Sequence, residues 1–200
     1  MRRLQIGIIP DGNRKYAKEH GISLTESYMR GATIAENIVK RALMRNDIEK
    51  IVFYALAKPN LELRNEEEVN AILKGINKAI ELFERIDGVS VRVFGDNTCG
   101  KVKYLFDRKY NPSSRLSVSL LINYSPEWDL ETRPIRTNVI PALDLIIRPR
   151  EQKLSGFLPV QSANSQLYFP DCFWTDFTPS QFDRIIEDYK QNHLNRVSGK

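Results

Sequence analysis

Ile6-Gly7-Ile8-Ile9-Pro10-Asp11-Gly12-Asn13-Arg14-Lys15-Tyr16 runs from an apolar strand pattern, through a turn, into a helical pattern. In open α/β sheets, ligands bind where the carboxyl end of a strand meets the next helix, because the first N–H groups of that helix have no partner within it. Gly12 lets the backbone approach a bound group closely. Arg14 and Lys15 add fixed positive charge. Asp11, the one acid among them, is suited to carry a hard cation such as Mg²⁺ beside phosphate oxygens. The segment is therefore a candidate metal–diphosphate site. The plainer alternative, a strand–turn–helix capped by Asn13 or Asp11 with its cations in solvent, stays open on these residues alone.

Outward from this segment, strands and helices alternate. Thr25 or Ser27 is placed to start a second helix, with Ile34, Ile38 and Ala42 on one face together with Ala35, Val39 and Leu43. Ile51 to Leu56 reads as a buried strand. Asn65-Glu66-Glu67-Glu68 is a capping box ahead of a long amphipathic helix carrying Val69, Ile72, Leu73, Ile76 and Ile80. Further strands are expected at Val89 to Phe94, Leu116 to Ile122 and Leu143 to Ile147, and Thr178-Pro179-Ser180-Gln181 opens a last helix with Phe182, Ile185, Ile186 and Tyr189 inward. The order predicts an α/β fold: a single domain with a mostly parallel central sheet flanked by helices on both faces. It spans residues 1–191, with Glu131 to Pro141 its most loop-like piece, and a polar tail at 192–200 is expected to fray.

Composition fits this picture. A chain of 200 residues with 42% hydrophobic and 28% charged residues is an ordinary globular domain with a proper core. The net charge of +5 favours anionic partners, and a phosphorylated small molecule or peripheral contact with a membrane surface fits it equally. There is no P-loop, dinucleotide fingerprint or aromatic-basic stripe, so nucleic acid is not expected. Cys99 and Cys172 lie far apart with no metal spacing, which points to a reduced, cytoplasmic setting. No apolar run is long enough for a membrane span. His20 and His193 have no visible partner and are expected in solvent.

A second charged constellation follows the strand at Leu143 to Ile147. In Arg148-Pro149-Arg150-Glu151-Gln152-Lys153-Leu154-Ser155, three cations and a hydroxyl cluster at a strand's carboxyl end, where a second diphosphate can be held. A solvated surface loop is the equal alternative. The apolar members of Gly156 to Phe169 are expected in the core or at an interface.

Taken in order, these residues resemble the cis-prenyltransferases typified by undecaprenyl diphosphate synthase. The resemblance is carried by Asp11-Gly12-Asn13, Tyr54-Ala55 to Asn60 with Arg64 and Glu67-Glu68-Val69, Gly95-Asp96, Asn123-Tyr124, Ile147-Arg148 to Ser155, Gln161-Ser162-Ala163, Leu167-Tyr168-Phe169 and Trp174-Thr175-Asp176-Phe177. It implies a Mg²⁺-dependent transfer between an allylic prenyl diphosphate and isopentenyl diphosphate, carried out by a homodimer. Asp11 is then the metal ligand, and Asn13 and Asn60 assist ionisation or proton removal. Gly12, Arg14, Lys15, Tyr28 and Arg64 are the binding candidates on one side of the site, and Arg148, Arg150, Lys153 and Ser155 on the other. An apolar cleft between the second and third helices would hold the tails, against Ile34, Ile38, Ile72, Leu73, Ile76 and Phe83, with plain core packing the first alternative for each of these residues.

The departures from that family are specific. Pro149-Arg150-Glu151 replaces the usual Gly-Gly-Glu, Lys153 stands where an Arg is usual, and Ala57-Lys58-Pro59 replaces a Ser-rich turn. Tyr28 with Gly31 occupies the place of a usual His and Gly. Gln166 stands where the family has a Glu that ligates metal in the partner subunit, and a neutral oxygen there weakens the site. The stretch from Trp128-Asp129 to Asp144 is short. The opening, with Gly21-Ile22-Ser23-Leu24 and Tyr28, resembles the branch that includes cyclolavandulyl diphosphate synthase, whose members couple two allylic diphosphates head-to-middle. A non-catalytic prenyl-binding partner subunit is the other alternative.

Overall fold

The computed structural model describes residues 2–197, the last five through their backbone alone. Six strands form one all-parallel sheet in the order β3-β4-β2-β1-β5-β6. They are β1 (Leu4–Ile8), β2 (Ile48–Ala57), β3 (Val89–Phe94), β4 (Leu116–Tyr124), β5 (Leu145–Ile147) and β6 (Gln166–Tyr168). The helices are α1 (Asn13–His20), α2 (Leu24–Met44), α3 (Lys58–Leu63), α4 (Glu66–Glu84), α5 (Pro126–Leu130) and α6 (Pro179–Val197). No helix among the described residues is long and apolar enough to cross a membrane.

Strand side chains alternate between the two faces. Ile6, Ile8, Ile51 and Phe53 join α2, α4 and α6 in the larger core, and Ile9, Val52, Tyr54 and Ile146 point to the other face. On that second face the helical cover is the short α5, and irregular chain around Ile140, Leu143, Phe157 and Leu158 completes it. This cover is anchored by buried Asp129, which accepts hydrogen bonds from Tyr124 Oη at 2.9 Å and from Thr137 N and Oγ1 at 2.8 and 2.7 Å.

Several boundaries differ from the sequence expectation for local reasons. The cap of α2 is Ser23, not Thr25 or Ser27, because the Ser23 side chain accepts from Glu26 N. The three residues of β6 are too few to carry a periodic signal, and α3 has no apolar stripe. The helix α6 runs on to Val197, so most of the expected frayed tail is helical; residues 198–200 lie outside the described residues, as does the side chain of His193. His20 is exposed but not partnerless: its ring stacks on Tyr16 at 3.9 Å, and its Nδ1 lies 3.0 Å from the Tyr16 carbonyl.

The topology fixes where a ligand goes. The chain leaves β1 for β2 on one side and returns through β5 on the other, so the strand order reverses at the carboxyl end of β1. A crevice opens at such a point because the loops leaving the two neighbouring strands diverge.

Candidate active site

The Asp11 turn follows β1 and the Arg148 loop follows β5, and the two meet across that reversal. Arg148, with only 6% of its side chain exposed, donates to Asp11 Oδ2 from Nε at 3.2 Å and from Nη2 at 2.6 Å. The same guanidinium donates to Ser155 Oγ at 2.8 Å, to the Lys153 carbonyl at 2.6 Å and to Glu151 Oε2 at 3.0 Å. Lys153 Nζ closes the ring on Glu151 at 2.8 Å. The loop after β5 is thus folded around Arg148, and the alternative of a solvated surface loop is excluded for Arg148 itself.

Helix α1 begins at the same point with no side-chain cap. Its N-cap is Gly12, at φ 100°, where a Cβ would come within 2.7 Å of the Phe173 ring. Asp11 instead accepts the Gly12 N–H at 2.6 Å, and neither Asp11 nor Asn13 caps the helix. By contrast, α2 and α4 are capped by Ser23 and Asn65. The open N–H groups of α1 face a cleft of about 620 Å³ with positive potential from the helix terminus. Six cationic side chains line this cleft, Arg14, Lys15, Arg64, Arg148, Arg150 and Lys153, against the three carboxylates of Asp11, Glu127 and Glu151.

The remaining predicted residues take distinct places. Asn13 is buried, and its Oδ1 has no hydrogen-bond partner although it borders the cleft. Asn60 lies on α3 and lines the same cleft. Arg64 Nη1 donates to Tyr28 Oη at 3.0 Å, and burial raises the Tyr28 pKa despite the opposing pull of Arg64, so the phenol is neutral. Arg14 lies 3.5 Å from Glu68, whose backbone N–H caps on Asn65 while its carboxylate turns to the site. The guanidinium of Arg150 lies over the Phe173 ring at 4.2 Å. Gln166 is not brought to Asp11 by its own chain. It sits at the start of edge strand β6, opposite Leu145 and hence level with Ile6, and its Oε1 accepts from Tyr168 Oη at 3.1 Å.

Other residues build the site without having been singled out for it. Trp174 N donates to the Asp11 carbonyl at 3.0 Å and Trp174 Nε1 donates to the Gly31 carbonyl at 2.9 Å, tying the Asp11 turn to α2. Tyr54, whose pKa burial pushes up to about 12, forms part of the cleft wall with Ser125 and Glu127. The cluster Phe173-Trp174 was the available signal, but aromatic pairs near a last helix read first as core.

Beneath the polar cleft, and sharing Pro10, Asn13, Tyr28, Ala55 and Ile72 with it, lies an apolar pocket between α2 and α4. Of the expected tail-wall residues, Ile72, Ile76 and Phe83 line it. Ile38 and Leu73 are packed in the core and Ile34 packs against it, because the inner wall of α2 is made by Gly31, Ala32 and Ala35. Asp11 also meets the demand of a phosphate-bound Mg²⁺. Such an ion needs one or two carboxylates, with phosphate and water completing its shell. Asp11 is 32% exposed at the cationic cleft, and no three His, Cys, Asp or Glu side chains among the described residues form a closed metal cage.

The family model described as putative undecaprenyl diphosphate synthase matches residues 9–133 and 127–196. A tritrans,polycis-undecaprenyl-diphosphate synthase (geranylgeranyl-diphosphate specific) of Picrophilus torridus is 30% identical, across 96% of this chain and 88% of its own. An isoprenyl transferase of Thermotoga maritima is 29% identical, across 93% of both chains. Among solved structures, lavandulyl diphosphate synthase of Lavandula x intermedia, in complex with dimethylallyl diphosphate, has the same fold. It superposes with a TM-score of 0.77 over 92% of this chain and 94% of that one, at 21% identity.

Proposed function

The chain belongs to the undecaprenyl diphosphate synthase family of prenyltransferases, and on that premise we propose how its cleft transfers a prenyl group from an allylic diphosphate to isopentenyl diphosphate. The observation that carries this reading is the contact of Asp11 with Arg148 beside an uncapped helix N-terminus, directly above an apolar pocket. The allylic diphosphate lies against the N–H groups of α1, Arg14, Lys15 and Arg64, with its tail downward. The second diphosphate is held by Arg148, Lys153 and Ser155, with Arg150 at the rim. Both chains are then held at reacting distance, which removes much of the entropic barrier.

In the reaction the allylic C–O bond breaks and its electron pair leaves with the diphosphate. A C–C bond forms from the double bond of the acceptor, and the resulting cation gives up a proton to the released diphosphate as the new double bond forms. Cationic side chains and helix N–H groups fixed in advance stabilise the charge that grows on the departing oxygens. Asn13, whose buried Oδ1 has no hydrogen-bond partner, and Asn60 on α3 both line the cleft, where they assist ionisation or proton removal. Asp11 would hold Mg²⁺ with the diphosphate, and that ion would supply further neutralisation of the leaving group. The working unit is taken as a homodimer, since Gln166 and the exposed Leu167 lie on an open sheet edge and Gln166 is remote from its own Asp11. Two free cysteines support a cytoplasmic setting.

The test is incubation of the protein with Mg²⁺ and dimethylallyl, geranyl, farnesyl or geranylgeranyl diphosphate, with and without isopentenyl diphosphate, and mass spectrometry of the products. Elongation that requires isopentenyl diphosphate supports this reading. Coupling without it moves the assignment to head-to-middle condensation, and no product in any mixture moves it to a non-catalytic partner.

A further inference from the structure

We propose that Arg150, although its loop follows β5 and folds around Arg148, serves the opposite subsite: its guanidinium takes the departing diphosphate of the allylic substrate at the N-terminus of α1. The inference rests on the prenyl-transfer reading of the cleft and deepens it. Four arginines line the cleft, Arg14, Arg64, Arg148 and Arg150. Arg14 faces Glu68, Arg64 donates to Tyr28 Oη, and Arg148 is committed to Asp11, Glu151, Ser155 and the Lys153 carbonyl. The exposed side chain of Arg150 makes no hydrogen bond or ion pair among the described residues, and lies over the Phe173 ring, 4.2 Å from its centroid. The ring holds this cation without supplying an oxygen acceptor, so its N–H donors stay available for the oxygens of an anion.

The loop backbone aims the side chain there. Glu151 N donates to the Pro149 carbonyl at 3.0 Å, and between them Arg150 stands at φ 69°, the γ-turn geometry that strains any residue with a side chain. An arginine thus occupies, within the replacement for the usual Gly-Gly-Glu, a conformation suited to glycine. The turn sends neighbours apart: Glu151 goes to Arg148 and Lys153, whereas Arg150 crosses to α1. A Cβ on Gly12, the N-cap of that helix, would lie 3.6 Å from Arg150 Cδ. Both supports are fixed. Arg150 N donates to the Pro170 carbonyl at 2.9 Å, and buried Phe173 meets Tyr16 of α1 edge-on at 5.6 Å. A planar cation is therefore held in advance beside the open N–H groups of α1, where negative charge grows as the allylic C–O bond breaks and its electron pair passes to the diphosphate.

The experiment compares wild type, Arg150→Gly and Arg150→Lys by calorimetric titration and steady-state kinetics. Glycine relieves the strain at φ 69°, so the first variant removes the guanidinium without threatening the fold. The probes are dimethylallyl thiolodiphosphate, a non-hydrolysable allylic compound, and isopentenyl diphosphate titrated into protein already saturated with it. Arg150→Gly should weaken the thiolodiphosphate about tenfold and lower kcat about 10–100-fold, while the Kd of isopentenyl diphosphate stays within about twofold. Arg150→Lys keeps the charge in the same strained turn and should restore part of both losses, which a merely structural role would not do. Weakening confined to isopentenyl diphosphate places Arg150 in the subsite of its own loop and overturns the proposal. So does an unchanged Kd and kcat in Arg150→Gly, or a lysine variant that restores nothing. If wild type binds neither prenyl compound more tightly than inorganic diphosphate and turns over no mixture, the prenyl-transfer reading itself falls, and the proposal with it.

Discussion

At the scale of single residues, the site is a set of charges that hold one another in place. Asp11 accepts from the Gly12 N–H at one oxygen and from Arg148 at the other, so Asp11→Asn removes the charge a cation needs and keeps an acceptor for only one of these two partners. Turnover should fall by about 10²–10³-fold or more. Near-normal steady-state rates would remove Asp11 from the mechanism. Glu151 has the opposite effect. Its carboxylate lies on Arg148 and Lys153, the cations assigned to the second diphosphate, and so stands where that substrate's charge must go. Glu151→Gln should therefore tighten inorganic diphosphate a few-fold in calorimetric titration, and weaker binding would show that Glu151 supports the site instead.

At the scale of elements, the ends of helices carry much of the design. The turn between α2 and β2 is fastened to α6 by an ion-pair cluster: Arg45 with Asp47, Asp183 and Glu187, and Lys190 with Asp47. Burial works against the charge on Asp47, but hydrogen bonds from Arg45 and Lys190 outweigh it and lower its pKa to about 2. An unfolded chain protonates this group near its ordinary 3.8, so between about pH 4 and 2 the unfolded state binds more protons. Stability contributed by Asp47 is thus present above pH 4 and lost as pH falls through 2, a contribution of about 1–2 kcal/mol after screening by solvent. Urea unfolding at pH 5 and pH 2.5 should show a smaller loss in Asp47→Asn than in wild type. The same helix ends were legible in the sequence where the signal is local, as with Asn65 and with Thr178 and Gln181, which bond reciprocally. They were illegible where the partner is remote: Glu68 reaches Arg14 and not its own cap. The diphosphate loops could be located because strand-end position and charge are both sequence properties. The contact of Asp11 with Arg148 spans 137 positions, so only the strand order supplies it. The small-residue walls of the apolar pocket escaped a search for hydrophobic faces, although Gly31 with Ala35 and Gly75 with Ala79, each four apart, mark a close helix approach.

At the scale of the whole molecule, the two faces of the sheet are covered differently. The α2, α4 and α6 face is ordinary helix packing, while the other depends on irregular chain fixed by Asp129. Asp129→Ala would strand the Tyr124 hydroxyl and two Thr137 donors in the interior, and should cost about 2–4 kcal/mol in chemical denaturation. A loss below 1 kcal/mol would mean that this cover contributes little to holding the sheet together. The internal pairing of the cleft also bears on how the molecule meets its substrate. Three of its six cations, Arg14, Arg148 and Lys153, already have carboxylate counter-charges from the chain itself. The empty protein therefore works as an ion exchanger: an arriving diphosphate displaces Glu151 from Arg148 and Lys153 more than it displaces dissolved anions. Affinity should then still fall with added salt, but less steeply than six free cations would dictate.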